Sequence, residues 1–154
     1  MLASCIYHIN MIIVIIMLTQ TAEYALRAVL HVAQYGDARP LRVGEVAAAL
    51  RIPANYLSKI FHQLARGGVL VSLRGKAGGF RLAGPPEELA LSRIVQPFAR
   101  VDARRRCLLG RSQCTNRNAC AVHDRWKHVA DSVAEFFRDT TVADLLGGGA
   151  ALPV

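Results

Sequence analysis

Apolar residues recur at Ala22, Ala25, Leu26, Val29, Leu30 and Ala33, at the three- and four-residue spacing that lays one stripe along an α-helix. The pattern predicts a helix over residues 21–35, ended by Gly36 and followed by a loop at 37–40. A shorter periodic stretch, 43–50, turns Val46, Ala47 and Leu50 inward. Arg51-Ile52-Pro53 interrupts it, because the residue before a proline is pushed out of the helical region. Pro53 then opens a third helix over 54–66, with Leu57, Ile60, Phe61 and Leu64 at core spacing and Gly67-Gly68 as the stop. Two helices joined by a tight turn make a helix-turn-helix unit. Residues 69–73 alternate like a strand, RGKAGG (74–79) is a basic glycine-rich turn, and Phe80-Arg81-Leu82 returns as a second strand. The order predicts a mainly α fold with a small β-hairpin, a winged helix-turn-helix.

Beyond Pro85-Pro86 the pattern changes. Ser92 is placed to cap a helix over 93–99 that Pro97 strains. A helix of about 28 Å follows over 121–139. Its apolar residues Val122, Trp126, Val129, Val133 and Phe136 are spaced four, three, four and three apart, a heptad seam of the kind that packs two helices side by side. This predicts a long C-terminal dimerisation helix and a homodimer. Residues 140–146 add one more turn, and Gly147–Val154 (GGGAALPV) has the composition of a disordered tail. At the other end, 1–16 (MLASCIYHINMIIVII) shows neither amphipathic period nor turn chemistry. The expectation is that Met17 is the true start and that 1–16 is a translation-start artefact. The chain thus divides into an extension (1–16), a DNA-binding unit (17–86), a connecting helix and cysteine-rich loop (87–120), a dimerisation helix (121–146) and a tail (147–154).

Charge selects the partner. Net charge is +8 over 154 residues, which points to a polyanion, nucleic acid before membrane. Between Val46 and Pro86 there is no Asp or Glu, while Arg51, Lys59, Arg66, Arg74, Lys76 and Arg81 all fall there. Phosphate binding needs such acid-free surface. On helix 54–66, Asn55, Ser58, Lys59, His62 and Gln63 lie off the core stripe, where Asn and Gln can read adenine and Lys guanine in the major groove. Arg74 and Lys76 mark the wing tip, suited to a minor groove or its phosphates. The partner expected is double-stranded DNA. The apolar run 11–18 is far below the roughly 20 residues that span a bilayer, and no signal peptide is recognisable. Neither a membrane nor a small-molecule substrate is expected, and the location expected is cytoplasmic.

The remaining chemistry is concentrated in residues 107–123, where Cys107, Cys114 and Cys120 are followed by His123. Three thiolates and one further ligand suit an iron–sulfur cluster or a tetrahedral Cys₃His zinc site. Zinc knuckles usually open with two to four residues between cysteines; here the gaps are six and five, which better surround a larger cluster. Arg100, Arg104, Arg105, Arg106, Arg111 and Arg117 crowd the loop and favour thiolates. Cys5 stands apart. No phosphate-cradling glycine motif, catalytic carboxylate pair or C-x-x-C motif is present, so an enzyme is not expected. A zinc-stabilised or thiol-based winged-helix regulator, or a protein–protein adaptor without a cluster, is the alternative.

The segments TAEYALRAVLHVA, IPANYLSKIFHQLARGGVL and LRGKAGGFRL, with the three-cysteine loop, resemble the IscR/NsrR family of winged-helix bacterial repressors over residues 17–146. The resemblance implies homodimers on palindromic operators and an iron–sulfur cluster, 2Fe–2S or 4Fe–4S, that senses nitric oxide, redox state or iron. It places Asn55, Tyr56, Ser58 and Lys59 on the recognition helix and Arg74 on the wing. His123 resembles the histidine ligand of the cluster-biogenesis regulator. Glu23 stands where nitric-oxide-responsive members draw an aspartate from the partner, which makes Glu23 of the partner subunit the alternative fourth ligand. The family's usual loop spacing is five and five, so the first gap here is one residue longer.

Overall fold

The computed structural model describes residues 18–99, 109 and 115–147. The extension 1–16 and tail residues 148–154 lie outside that set. Six α-helices and one hairpin are described: α1 (Gln20–Tyr35), α2 (Val43–Leu50), α3 (Ala54–Arg66), β1 (Leu70–Leu73), β2 (Gly79–Leu82), α4 (Leu91–Val95), α5 (His123–Asp139) and α6 (Val142–Gly147), with single 3₁₀ turns at Pro86–Glu88 and Asn116–Asn118.

α1 is the hub, packed against α2, α3, β2, α4 and α6. The spacing predicted one apolar stripe. The structure buries Ala28 and Val32 as well, which widens the stripe on one side. Small side chains allow this, because alanines at 22, 25, 28 and 33 let neighbours approach closely from several directions. Thr19 caps α1 by accepting the Ala22 N–H at 3.2 Å.

α2, the turn at 51–53 and α3 form the predicted helix-turn-helix, and Leu57, Ile60, Phe61 and Leu64 are the buried residues of α3. The turn is made by Arg51 in the left-handed region (φ 55°). β1 and β2 pair antiparallel, Leu70 opposite Leu82 and Leu73 opposite Gly79. β1 does not alternate as predicted: Leu70 is buried, and Val71, Ser72 and Leu73 are all exposed, while on β2 Phe80, opposite Ser72, is buried. A third segment, invisible in the hydrophobic pattern, extends this sheet. Leu41 exchanges both backbone hydrogen bonds with Phe80 (2.9 and 2.8 Å). Gly79 permits the approach, since a Cβ there would lie 2.7 Å from the Leu41 carbonyl oxygen. The Phe80 ring meets Phe61 edge-on at 5.0 Å and joins the wing to α3.

Two expectations fail in the C-terminal part. The helix expected over 93–99 runs instead from Leu91 to Val95, and its N-cap is Ala90, not Ser92. Burial of Leu91, Ile94 and Val95 sets that register, and Pro97 ends the helix early rather than straining it. α5 likewise does not devote its apolar residues to one seam. Val133 and Phe137 join the main core, whereas Val122 and Phe136 stay exposed. The start of α6 is sewn back to the chain before α4 through Leu91 N–H to Thr140 O and Val142 N–H to Leu89 O, both 2.9 Å. One core therefore runs from α1 through the helix-turn-helix to α5 and α6.

Candidate nucleic-acid interface and cysteine site

α3 presents three faces. The core face is opposed by Asn55, Lys59, His62 and Arg66, all exposed, which successive 100° steps place on the outward side. Ser58 is half-buried beside them. Tyr56 and Gln63, seven residues apart, lie on a flank; both are exposed, and each is hydrogen-bonded to another part of the chain. The Tyr56 hydroxyl is hydrogen-bonded to that of Thr21, and its ring meets Tyr24 edge-on at 5.9 Å. The Gln63 amide donates to the Pro97 carbonyl at 3.2 Å. Of the residues expected to face DNA, the outward group is thus Asn55, Lys59 and His62, while Tyr56 and Gln63 face α1 and the segment after α4.

At the wing, Arg74 and Lys76 are exposed on a turn built on Gly75 (φ 103°). Sequence reasoning missed the strap that holds it. Arg42, just before α2, donates through Nη2 to the Lys76 carbonyl at 2.6 Å. Its own N–H donates to Glu45 at 2.9 Å, and Arg39 grips the same carboxylate with two bonds, 3.0 and 3.1 Å. These bonds, that from Arg39 foremost, hold the Glu45 carboxyl below the usual carboxylate range. The Glu45 charge is thereby offset locally by Arg39. No periodicity signals Arg42, because only the tertiary approach of residues 41–42 to the hairpin gives it a partner.

Of the predicted ligands, Cys107 and Cys114 lie outside the described residues, as do Cys5, Arg100, Arg104, Arg105, Arg106 and Arg111. Cys120 and His123 are brought together in the turn that starts α5, where the His123 N–H donates to the Cys120 carbonyl at 2.9 Å. His123 is 5% exposed, and its Nε2 lies 3.0 Å from the Asn116 Oδ1. This contact with an amide oxygen fixes the orientation of the buried imidazole. Among the described residues no group of three or more His, Cys, Asp or Glu side chains is assembled. Glu23 sits exposed in the first turn of α1, 3.7 Å from Arg27. Trp126 and Val129 are half-buried, and with exposed Val122 and Phe136 they leave an apolar strip along α5.

Helix-turn-helix, basic wing and acid-free face together define a DNA-binding transcriptional regulator. Residues 18–148 match the Rrf2 family model, described as an iron-dependent transcriptional regulator, and the chain belongs to the Rrf2 family. That is a family of regulators and not of enzymes. A chain of Aquifex aeolicus described as an HTH-type transcriptional regulator is 34% identical, over 83% of this chain and 90% of its own. The HTH-type transcriptional regulator IscR of Vibrio atlanticus is 26% identical over 89% of this chain and 79% of its own. Among solved structures, IscR of T. potens superposes with a TM-score of 0.69 at 20% identity, covering 88% of this chain and 93% of that one, which shows a shared fold. Among the described residues no helix is long and apolar enough to cross a membrane.

Proposed function

We propose that the protein is a homodimeric repressor whose affinity for a palindromic operator is set by an iron–sulfur cluster in the loop 107–123. The observation that carries this reading is the Cys120–His123 turn, with a buried imidazole held by Asn116 at the root of α5. Cys107, Cys114, Cys120 and His123 would hold the cluster; Glu23 of the partner subunit is the alternative to His123. Thiolates with one imidazole fit iron–sulfur chemistry. Relatives named IscR and an iron-dependent family model support the same choice. When bound, the cluster supplies a centre whose loss to nitric oxide, oxidants or iron shortage changes the loop's preferred structure.

On the DNA side, Asn55, Ser58, Lys59 and His62 face the major groove, and Arg74 and Lys76 face the minor groove or its phosphates. The apolar strip Val122, Trp126, Val129 and Phe136 is the dimer seam. Two half-sites must lie about 34 Å apart, one turn of DNA, for both recognition helices to enter the groove. Val133 and Phe137 join the one core that the DNA reader shares with α4 and α6, so a change in the seam moves each reader as a body. The functional units are then the DNA reader (17–86), the connecting helix and loop (87–120) and the dimer helix (121–146).

Anaerobic purification with an absorption spectrum and iron and sulfide assays tests the cluster. A coloured protein is expected, and Cys107→Ala, Cys114→Ala and Cys120→Ala each abolish the colour while Cys5→Ala does not. A wild-type protein that stays colourless and iron-free after anaerobic reconstitution overturns the reading. His123→Ala and Glu23→Ala separate the two fourth ligands by which of them destabilises the chromophore.

A further inference from the structure

The flank of α3 that carries Tyr56 and Gln63 belongs to a hydrogen-bonded chain reaching the segment that feeds the cysteine loop. Gln63 Nε2 donates to the Pro97 carbonyl at 3.2 Å. The next carbonyl, Phe98, accepts from the Thr19 hydroxyl at 3.1 Å. That same hydroxyl accepts the Ala22 N–H and caps α1. At the far end of the flank, Tyr56 is bonded to Thr21, two residues from Thr19. Two successive carbonyls are therefore gripped by the two elements that must be placed correctly on DNA. One grip comes from the recognition helix and the other from the cap of the helix it rests on.

The location gives these bonds their significance. α4 ends at Val95, and a chain leaving a helix at a proline presents carbonyls without intrahelical partners. Ile94, Val95 and Ala99 are buried, so Pro97 and Phe98 are held between anchored neighbours. Cys107 follows Phe98 by nine residues.

We propose that Gln63 and Thr19 are positioning residues that couple the state of the cysteine loop to the recognition helix. The proposal rests on the sensing role given to that loop above. A loop state that displaces Pro97–Phe98 breaks or re-aims both bonds and shifts α3 relative to α1; a state that keeps the segment in place holds α3 in the orientation seen here. Gln63 acts through the Pro97 carbonyl and not through a base.

A linkage experiment tests this. Operator affinity is measured anaerobically for the full chain with its cysteines intact and for Cys120→Ala, each carrying Gln63, Gln63→Met or Gln63→Lys. Methionine keeps the length and removes the donor, whereas lysine keeps a donor. Comparing the intact to Cys120→Ala ratio cancels any effect on DNA contact common to both states. A single hydrogen bond of this kind sets the expected size: Gln63→Met shrinks the ratio by about two- to tenfold, and Gln63→Lys restores it. Hydrogen exchange gives a readout independent of DNA. Loss of Cys120 accelerates exchange over both 91–99 and 54–66 with Gln63, but over 91–99 alone with Gln63→Met. An unchanged ratio, or equal acceleration over 54–66, in Gln63→Met overturns the coupling while leaving the sensor intact. Equal operator affinity of the intact and Cys120→Ala proteins, both with Gln63, overturns the sensing role and the coupling with it.

Discussion

Arg51 holds a backbone conformation that side chains with a Cβ adopt at a cost. Its φ of 55° makes the sharp turn between α2 and α3, with the Arg51 and Ile52 N–H groups returning to carbonyls at the end of α2. Left-handed backbone costs a non-glycine residue about 1–2 kcal/mol, partly offset by the greater chain entropy of glycine. Arg51→Gly is therefore expected to raise stability by up to about 1 kcal/mol, read as a higher thermal midpoint, and to lower affinity for non-specific DNA because a cation is lost. Glu45 yields a pH prediction. Its carboxyl titrates below the ordinary range, first because of Arg39 and then the Arg42 N–H. A group whose folded pKa is depressed contributes stability above the unfolded value and loses it as pH falls through the folded one. The difference in thermal midpoint between wild type and Glu45→Gln is thus expected to be full at neutral pH and to close on acidification below the usual carboxylate range.

The recognition helix was legible in detail because one strong period governs it: all four of its predicted core residues are the four that are buried. The wing was legible only as a hairpin. Its third edge at Leu41 and its strap at Arg42 come from residues more than thirty positions away from the strand and turn they hold, and no local pattern encodes such a pairing. α4 was misplaced because a hydroxyl capping signal at Ser92 competed with burial of Leu91, and burial won. Arg74 tests the wing. Arg74→Ala is expected to weaken binding to all DNA sequences nearly equally and to reduce the slope of log affinity against log salt by about one, measured by fluorescence anisotropy across a salt series. An unchanged slope means that this cation does not meet a phosphate.

α5 joins the reader to its proposed second copy by dividing its apolar residues between two faces. Phe137 is 1% exposed within the core, while its neighbour Phe136 is 45% exposed on the strip with Val122. The two rings meet edge-on at 5.3 Å, one buried and the other exposed. Phe137→Ala is expected to cost about 3–5 kcal/mol of stability, seen in denaturant unfolding. Phe136→Asp is expected to leave the circular dichroism of the fold intact and to yield monomers in analytical ultracentrifugation, with operator affinity reduced by at least tenfold as the paired half-site contact is lost. A Phe136→Asp protein that still sediments as a dimer removes the strip from the interface.

What the amino-acid order determined by itself was whatever depends on neighbours along the chain. The three periodic helices, the basic hairpin, the acid-free stretch from Val46 to Pro86 and the sequence clustering of Cys107, Cys114, Cys120 and His123 all have this local origin. Tertiary structure alone decided which partner each side chain found. It sent Gln63 to the Pro97 carbonyl, Arg42 to the wing, His123 into a buried contact with Asn116 and Val133 into the core in place of the seam. The physical reason is common to all four. Periodicity specifies the face of an element on which a residue lies, but the group opposite that face is set by how the elements pack.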